Sequence, residues 1–213
     1  MSRTRLLYLI RHGATEANTR RPYVLQGQRT DLPLSEIGRR QAEAVRTALR
    51  DRAIDHVFSS PLRRARQTAD LLAEPHGVPV QLMDELTECD VGRWEGLSWD
   101  EVRRQDGPYL DTFEADPGTV PYADGESFQQ VQDRAVPAIQ RLVREHPEGN
   151  MLVVTHNVVA RVIVARVTGT AIAKARTIRL DNAGITILSI ADGTEKLLTL
   201  NSVLHLDGLL EDF

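Results

Sequence analysis

Two short apolar runs, each leading to a histidine, constrain the fold of this chain more than any other feature. Residues 6–10 lead to His12, with Gly13 permitting a sharp exit, and residues 151–155 lead to His156. Runs of this length and hydrophobicity are typical of strands covered on both faces, as in parallel sheets. Because open α/β sheets bind ligands at the carboxyl ends of their strands, we expect the two histidines to meet at one site.

Apolar spacing and capping residues predict the other elements. Helices are predicted at 35–50, 60–72, 98–105, 127–146 and 157–168, the fourth of them kinked at Pro137. Strands are predicted at 54–59, 80–83, 178–180 and 184–190, and Asp192-Gly193 is typical of a hairpin turn. Residues 14–34 and 106–126 are predicted to be loops, and the second of these has the character of a lid.

Length and composition favour one globular domain. With 213 residues, 41% of them hydrophobic and 26% charged, the chain is long enough to bury a sizeable core. We expect a single domain over residues 1–213 with an acidic, lid-like insertion at about 97–130. No run approaches the roughly 18 apolar residues of a membrane span, and the start of the chain lacks the pattern of a signal peptide. The single Cys89 cannot form an internal disulfide, so a cytoplasmic location is expected.

Arginine dominates the basic residues and points to an anion site rather than to nucleic acid. Of the 26 basic residues, 24 are arginine, whose planar fork suits phosphate or carboxylate. Nucleic-acid binding would need a basic stripe interleaved with aromatic residues, whereas aromatic residues make up 5% of the chain and the pI is about 5.9. Arg64 stands out because it follows Ser60 and Pro61 on the first turn of a predicted helix, where free N–H groups attract an anion.

Three sequence motifs surround these candidate residues. The first is Arg11-His12-Gly13-Ala14-Thr15-Glu16-Ala17-Asn18, the second spans residues 59–69 around Arg64, and the third spans residues 86–96 around Glu88. Together they resemble the motifs of branch 1 of the histidine phosphatase superfamily, and the resemblance covers nearly the whole chain. It implies an α/β fold of the phosphoglycerate mutase-like type, a three-layer sandwich with a mostly parallel central sheet flanked by helices.

The same resemblance implies metal-independent hydrolysis of a phosphomonoester. His12 would be the nucleophile and would form a phosphohistidine, with its other ring nitrogen held by a backbone carbonyl. Arg11, Arg64 and His156 would neutralise the phosphate oxygens, and Glu88 would protonate the leaving oxygen and then activate water. No cofactor and no metal are expected, because the arginines replace the metal and the histidines lack a ligand spacing.

Further residues of the resemblance would contact the substrate, which is expected to be a small phosphorylated metabolite. Asn18 and the backbone around Gln26 and Gly27 would add donors to the phosphate site. Asn157 stands where the family usually has glycine. His205 lies in a tail that is similar to that of metal-independent phosphoserine phosphatases, where a tail histidine lies near the substrate.

The motifs leave the specific activity open between a phosphatase and a cofactor-dependent phosphoglycerate mutase. Mutases have a longer insertion between the glutamate and the second histidine, with basic residues that hold the substrate carboxylate. In this chain the segment is short and acidic, and no lysine or arginine occurs between Gln105 and Asp133. This favours a phosphatase, because retention of a second anion by that segment would need cations.

Other interpretations remain beside these two. Phosphoserine phosphatase is one, although those enzymes have a histidine where this chain has Val91. An inactive binding member of the family is another, although the chain keeps every expected catalytic group. A thiol phosphatase built on Cys89 is disfavoured, because that chemistry needs an arginine six positions later and Glu95 stands there. The apolar C-terminal tail could serve a homodimer contact.

Overall fold

One mixed β-sheet with helices on both faces organises the fold, which a computed structural model describes for residues 4–210. Within that range the strands are β1 (Arg5–Arg11), β2 (His56–Ser59), β3 (Val80–Leu82), β4 (Met151–Thr155), β5 (Ile185–Ala191) and β6 (Thr194–Ser202). The α-helices of the same range are α1 (Glu16–Thr19), α2 (Glu36–Leu49), α3 (Arg63–Ala73), α4 (Trp99–Ala115), α5 (Phe128–Glu145) and α6 (Asn157–Thr168). None of these helices combines the length and the apolar character that crossing a membrane requires.

The strand order of the sheet is β3-β2-β4-β1-β5-β6. Strands β3, β2, β4 and β1 run parallel, whereas β5 and β6 are antiparallel to their neighbours. The predicted α/β sandwich with a mostly parallel sheet is therefore confirmed. Strand β1 pairs with β4 from Leu7 opposite Met151 to Arg11 opposite Thr155, so both strands end at the same edge of the sheet.

The central strand β1 is apolar because both faces of the sheet are covered. Leu7 and Leu9 pack into the core formed with α4, α5 and α6, whereas Tyr8 and Ile10 pack into the core formed with α2 and α3. All four side chains are buried. A strand with only one covered face would alternate apolar and polar residues, so the continuous apolar run is the sequence signature of this three-layer arrangement.

Helix α4 extends ten residues beyond Gln105, where the sequence predicted its end, so half of the predicted loop is helical. Its backbone leaves helical angles at Asp106 (φ −143°), and the helix then resumes through Pro108. Proline is tolerated in the first turn of a helix, where its missing N–H has no partner to lose. The second half is held by packing, since Phe113 is buried with its ring 5.4 Å from that of Trp94.

The prediction of a strand at 178–180 is wrong. Ile178 and Leu180 lie in an irregular segment before β5, and their carbonyl groups accept hydrogen bonds from Arg161 and Arg11 instead of from a neighbouring strand. The apolar pattern is explained by burial of Leu180, which packs into the core. Side-chain donors have taken the place of a strand partner, which a single-strand pattern cannot reveal.

Several local predictions are confirmed. Asp192 (φ 49°) and Gly193 (φ 74°) form the turn between β5 and β6, with the positive angles that such hairpins require. Gly169 ends α6 in a left-handed conformation. The kink predicted at Pro137 is not among them, since helix α5 continues through this residue as one element.

The C-terminal tail packs largely on its own chain. Leu206 is buried in the core beside α2 and α3, and Gln41 donates a hydrogen bond from Nε2 to the Leu209 carbonyl (2.9 Å). Leu204 remains 92% exposed. The homodimer contact predicted for this tail therefore stays a prediction, with Leu204 as its main exposed apolar residue among those described.

The loop that follows His12 contacts helix α2 so closely that two glycines are required. A Cβ atom added to Gly38 would overlap the carbonyl oxygen of Ala14, and one added to Gly13 would overlap the carbonyl oxygen of Gly38. Ser35 caps α2 and also donates to the Ala14 carbonyl (3.1 Å). The first turn of α2 thereby fixes the path of the chain as it leaves β1.

We predict that Gly38→Ala destabilises the protein by about 1–3 kcal/mol, although alanine normally favours a helix, because the added methyl group meets backbone that cannot move without shifting β1. Gly107→Ala is the matched control, since its Cβ would lie 4.0 Å from the nearest side-chain atom. That control should change the free energy of unfolding, measured in urea, by less than about 1 kcal/mol. Equal effects of the two substitutions would contradict the packing argument.

Candidate active site

His12 is held in one orientation at the carboxyl end of β1. Its N–H donates to the Thr155 carbonyl (2.9 Å), and its own carbonyl accepts from Asn182 Nδ2 (3.0 Å). In the ring, Nδ1 lies 2.7 Å from the Gly13 carbonyl oxygen, which can only accept, so Nδ1 carries the proton. Nε2 then carries the lone pair of the ring, and it accepts a hydrogen bond from Arg64 Nε (3.2 Å).

The environment of His12 keeps its imidazole neutral. Burial lowers the pKa of His12 well below 6.5, and the positive charges of Arg64 and Arg11 lower it further, while the hydrogen bond to Gly13 acts in the opposite direction. A neutral ring with the proton on Nδ1 presents Nε2 as a nucleophile. The predicted backbone carbonyl partner of the ring is confirmed as the Gly13 oxygen.

His156 follows β4 as His12 follows β1, and the two rings meet edge to face with their centroids 5.0 Å apart. His156 Nε2 lies 2.8 Å from Ser60 Oγ, which also accepts from the Leu62 N–H (3.3 Å). Burial, followed by the charge of Arg64, lowers the pKa of His156 well below 6.5. The Ser60 hydroxyl can either donate to Nε2 or accept from it, and His156 Nδ1 is buried with no hydrogen-bond partner within residues 4–210.

Two guanidinium groups complete the innermost part of the site. Arg64, on the first turn of α3, is 1% exposed and donates from Nη2 to the Gly27 carbonyl (2.9 Å). Arg11 donates from Nη1 to the Leu180 carbonyl (2.7 Å). In the part of the chain that the structure describes, Arg64 Nη1 and Arg11 Nε are buried without a partner. Buried donors left unpaired are costly, and an anion placed among them would satisfy them.

Glu88 is fixed opposite these cations by backbone N–H groups. Its carboxylate accepts from the N–H groups of Cys89 (2.9 Å), Asn157 (3.0 Å) and Val158 (3.2 Å). The last two are the first residues of α6, so the carboxylate lies at a helix N-terminus, which favours a negative charge. Glu88 lines the same cavity as His12. The acidic residues Glu85 and Glu95 bind elsewhere, to Arg141 and to the backbone at residues 29–30.

Arg134 of α5 holds the loop that carries Glu88, a contact that no motif in the sequence indicates. Its guanidinium donates to the carbonyl groups of Glu85 (2.8 Å), Thr87 (2.7 Å) and Glu88 (3.1 Å). It also pairs with the Glu126 carboxylate at 2.9 Å. No local pattern could have revealed this role, because a single arginine on a helix is usually a solvated residue.

The polar side chains of the segment 14–34 have two roles: some face the cavity, and others hold the shape of the loop. Asn18 Oδ1 accepts from the Thr15 N–H (3.0 Å) and from Asn182 Nδ2 (3.4 Å), which leaves Asn18 Nδ2 as the donor for a ligand. Gln26 lines the cavity, but both ends of its amide already have partners. Its Oε1 accepts a hydrogen bond from Thr15 Oγ1, and its Nε2 donates one to the Thr30 carbonyl. Gly27 packs against the Cys89 carbonyl so closely that a Cβ would lie only 2.8 Å from that oxygen.

The structure places Asn157 in the cavity and His205 outside its lining. Asn157 Oδ1 is buried without a hydrogen-bond partner within residues 4–210, while its N–H serves Glu88. His205 Nε2 lies 3.0 Å from the Ala183 carbonyl, and His205 is not among the described residues that line the cavity. Its ring contacts the backbone that follows Asn182, and the expected position of His205 near the substrate stays a prediction.

The cavity in front of His12 has a volume of about 540 Å³, and its outer wall combines arginines with aromatic rings. Arg161, Arg176 and Arg179 line it beside Trp99 and Tyr122. The insertion at 97–130 contributes the aromatic residues, whereas the arginines come from α6 and from the segment before β5. A cavity of this size accommodates a small metabolite.

Two other chemistries find no support in the geometry. Burial, followed by the charges of Glu88 and Glu126, raises the pKa of the Cys89 thiol well above 9.0, so the reactive thiolate is suppressed. Within residues 4–210, no group of three or more His, Cys, Asp or Glu side chains is arranged to hold a metal ion. The side chains around His12 are those of Arg11, Arg64, His156 and Glu88.

Comparison with known proteins connects this geometry to a family. The family model for branch 1 of the histidine phosphatase superfamily matches residues 7–203. The adenosylcobalamin/alpha-ribazole phosphatase of Salmonella typhimurium is 32% identical, over 92% of this chain and 96% of that protein. The protein named "Probable phosphoglycerate mutase GpmB" of Shigella boydii is 33% identical, over 84% of this chain and 82% of that protein. Among solved structures, Bacillus stearothermophilus YhfR superimposes with a TM-score of 0.86 at 32% identity, covering 94% of this chain and 98% of that chain. The chain belongs to branch 1 of the histidine phosphatase superfamily.

Proposed function

We propose that the protein hydrolyses a small phosphomonoester through a phosphohistidine on His12. The observation that carries this proposal is the state of that imidazole, which is buried and neutral, with Nδ1–H bonded to Gly13 and the Nε2 lone pair beside Arg64. A nucleophile in that state needs no separate base. Arg11, Arg64 and His156 surround it with donors for the phosphate oxygens.

In the first step, Nε2 of His12 attacks phosphorus in line with the leaving oxygen. The N–P bond forms as the P–O bond breaks, and Glu88 gives a proton to the departing alkoxide. Positive charge that develops on the ring is relieved by the hydrogen bond from Nδ1 to the Gly13 carbonyl.

In the second step, water attacks the phosphohistidine from the side that the alcohol has left. Glu88, now ionised, accepts a proton from that water, the N–P bond breaks, and His12 returns to its neutral state as phosphate leaves. Arg64 keeps its position throughout, because Nη2 is anchored on the Gly27 carbonyl (2.9 Å). The guanidinium groups supply the charge that stabilises the transferred phosphoryl group in both steps.

Phosphoglycerate mutase activity is a second candidate, because Arg161 and Arg176 on the outer wall could retain an acid after it loses its phosphate. The phosphatase is favoured because the insertion at 97–130 contributes no cation to the cavity lining. A phosphoserine phosphatase is less well supported, since Val91 lines the cavity where those enzymes have histidine. An inactive binding protein is disfavoured by the prepared state of His12.

The nucleophile is tested with His12→Ala and p-nitrophenyl phosphate. We expect the rate of phosphate release to fall by about 10³-fold or more, and the acid-labile, alkali-stable phosphoenzyme trapped on the parent protein to disappear. His76→Ala is the control, since His76 is outside the cavity lining, and it should keep both signals. Equal rates for the parent and His12→Ala would favour a binding protein over an enzyme.

Neutral His12 also has a consequence for stability. In the unfolded chain its pKa is near 6.5, and in the folded protein it is lower, so below pH 6.5 the unfolded state binds more protons. The free energy of unfolding is therefore expected to fall as pH drops from about 7 to 5. His12→Asn, whose amide can still donate to Gly13, should reduce this slope by up to about 1.4 kcal/mol per pH unit. Identical slopes in urea titrations of the two proteins would show that His12 is not held neutral by burial.

The two activities are separated by incubation with 3-phosphoglycerate. We expect inorganic phosphate to appear faster than the 2-isomer, because the insertion at 97–130 adds no cation to the arginines of the outer wall, and retention of the dephosphorylated acid is weaker without such cations. Both products are followed in one reaction by phosphorus NMR. Faster formation of 2-phosphoglycerate would assign the protein as a mutase.

A further inference from the structure

The loop that carries Glu88 lies between β3 and α4, and a side chain from α5 holds its backbone. Carbonyl groups in such a loop need donors from elsewhere, because an unpaired buried carbonyl is costly. Arg134 supplies them at 2.8 Å to the Glu85 carbonyl, at 2.7 Å to that of Thr87 and at 3.1 Å to that of Glu88. One guanidinium therefore fixes the turn that leads to the proposed proton donor.

The hydrogen bond to the Glu88 carbonyl also acts on the Glu88 carboxylate. A peptide group is planar, so its carbonyl and the N–H of the following residue point in opposite directions and turn together. The Glu88 carbonyl accepts from Arg134 and from Gln28 Nε2 (2.8 Å). The N–H of the same peptide, which belongs to Cys89, donates to Glu88 Oε1 (2.9 Å). Donors on one side of this peptide thereby aim its N–H at the carboxylate on the other side.

Glu126 keeps both of these donors in place. Arg134 donates from Nε and Nη2 to the two carboxylate oxygens of Glu126, each at 2.9 Å, which fixes the plane of the guanidinium. The same carboxylate accepts from Gln28 Nε2 (3.2 Å) and from the Asp90 N–H (2.9 Å). The side chains of Arg134 and Glu126 are each 22% exposed, so this ion pair is largely shielded from water.

Gln28 connects the network to the phosphate site. It follows Gly27, whose carbonyl accepts from Arg64 Nη2 (2.9 Å). The segment 14–34 therefore anchors a guanidinium of the phosphate site through one residue and the backbone of Glu88 through the next.

We propose that Arg134, held by Glu126, is a positioning residue for proton transfer, because it keeps the Glu88–Cys89 peptide in the orientation that fixes the Glu88 carboxyl group. The inference rests on the proposed function, in which Glu88 protonates the departing alkoxide. Arg134 is not among the described residues that line the cavity, so it acts through Glu88 and not on the substrate. Without Arg134 the peptide has one donor fewer and can turn, which removes the Cys89 N–H from the carboxylate. A displacement of about 1 Å at a catalytic group can cost about 10²-fold in rate.

The role is tested with two substrates of similar shape but different leaving groups. p-Nitrophenolate leaves as a stable anion, whereas the alkoxide of benzyl phosphate needs a proton as the P–O bond breaks. For Arg134→Met we expect the ratio of kcat/KM for benzyl phosphate to that for p-nitrophenyl phosphate to fall about tenfold or more. Glu88→Gln removes the acid itself and sets the full effect, a fall of about 10²-fold or more in the same ratio.

Arg141→Met is the matched control. Arg141 lies on the same helix and binds the same loop, but through the Glu85 carboxylate (2.7 Å), in a half-exposed ion pair. Such pairs contribute little, so the ratio should stay at the parent value. If Arg134→Met does not fold, because it leaves the Glu126 carboxylate without its cation, the double variant Arg134→Met/Glu126→Gln removes both charges and should lower the ratio in the same way.

Two results would overturn the inference. One is an equal loss on both substrates in Arg134→Met or in the double variant, which would make the network purely structural, and the other is a ratio that matches the parent value. A ratio left unchanged by Glu88→Gln would instead remove Glu88 as the proton donor. Absence of phosphate release from both substrates in the parent protein would overturn the proposed hydrolysis. In either of these last cases Arg134 would have no proton donor to position.

Discussion

The parallel pairing of β1 with β4 is the interaction on which the site depends. It ends with Arg11 opposite Thr155, and the His12 N–H adds one more bond to the Thr155 carbonyl. The two histidines therefore lie side by side at the end of the sheet, although they are 144 residues apart in the chain. A shift of one residue in this register would turn Leu7 and Leu9 toward the wrong core and would separate the histidines. The large cores on both faces of the sheet therefore also determine the geometry of the candidate site.

Burial gives the site two properties at once. It removes water from His12 and His156, which keeps both rings neutral, and it leaves Arg11 Nε and Arg64 Nη1 without a partner among the residues that the structure describes. The first property favours attack on phosphorus, and the second favours binding of the oxygens that surround it. Both arise from the same cause, so a substitution that admits water to this region would weaken the nucleophile and the anion site together.

Much of this arrangement could be predicted from the sequence, because it depends on short-range signals. The apolar runs before His12 and His156, the capping serines, and the motifs around Arg64 and Glu88 are local, and the family resemblance places them in one fold. Contacts between distant segments left no such signal. The pairing of Arg134 with the carbonyls before Glu88, and that of Arg161 with Ile178, depend on which helix packs on which loop. The apolar pattern at 178–180 predicts a strand for the same reason, because the side-chain donors that bind the Ile178 and Leu180 carbonyls come from distant segments.

The acidic insertion contributes no cation to the cavity lining, and the outer arginines reach the cavity instead from α6 and from the segment before β5. Glu126 anchors the end of the insertion on the same guanidinium that binds the backbone of Glu88, the residue proposed as proton donor. A change in the length or composition of the segment between α4 and Glu126 would therefore alter the cavity wall while this anchor continues to hold the backbone of Glu88 in place.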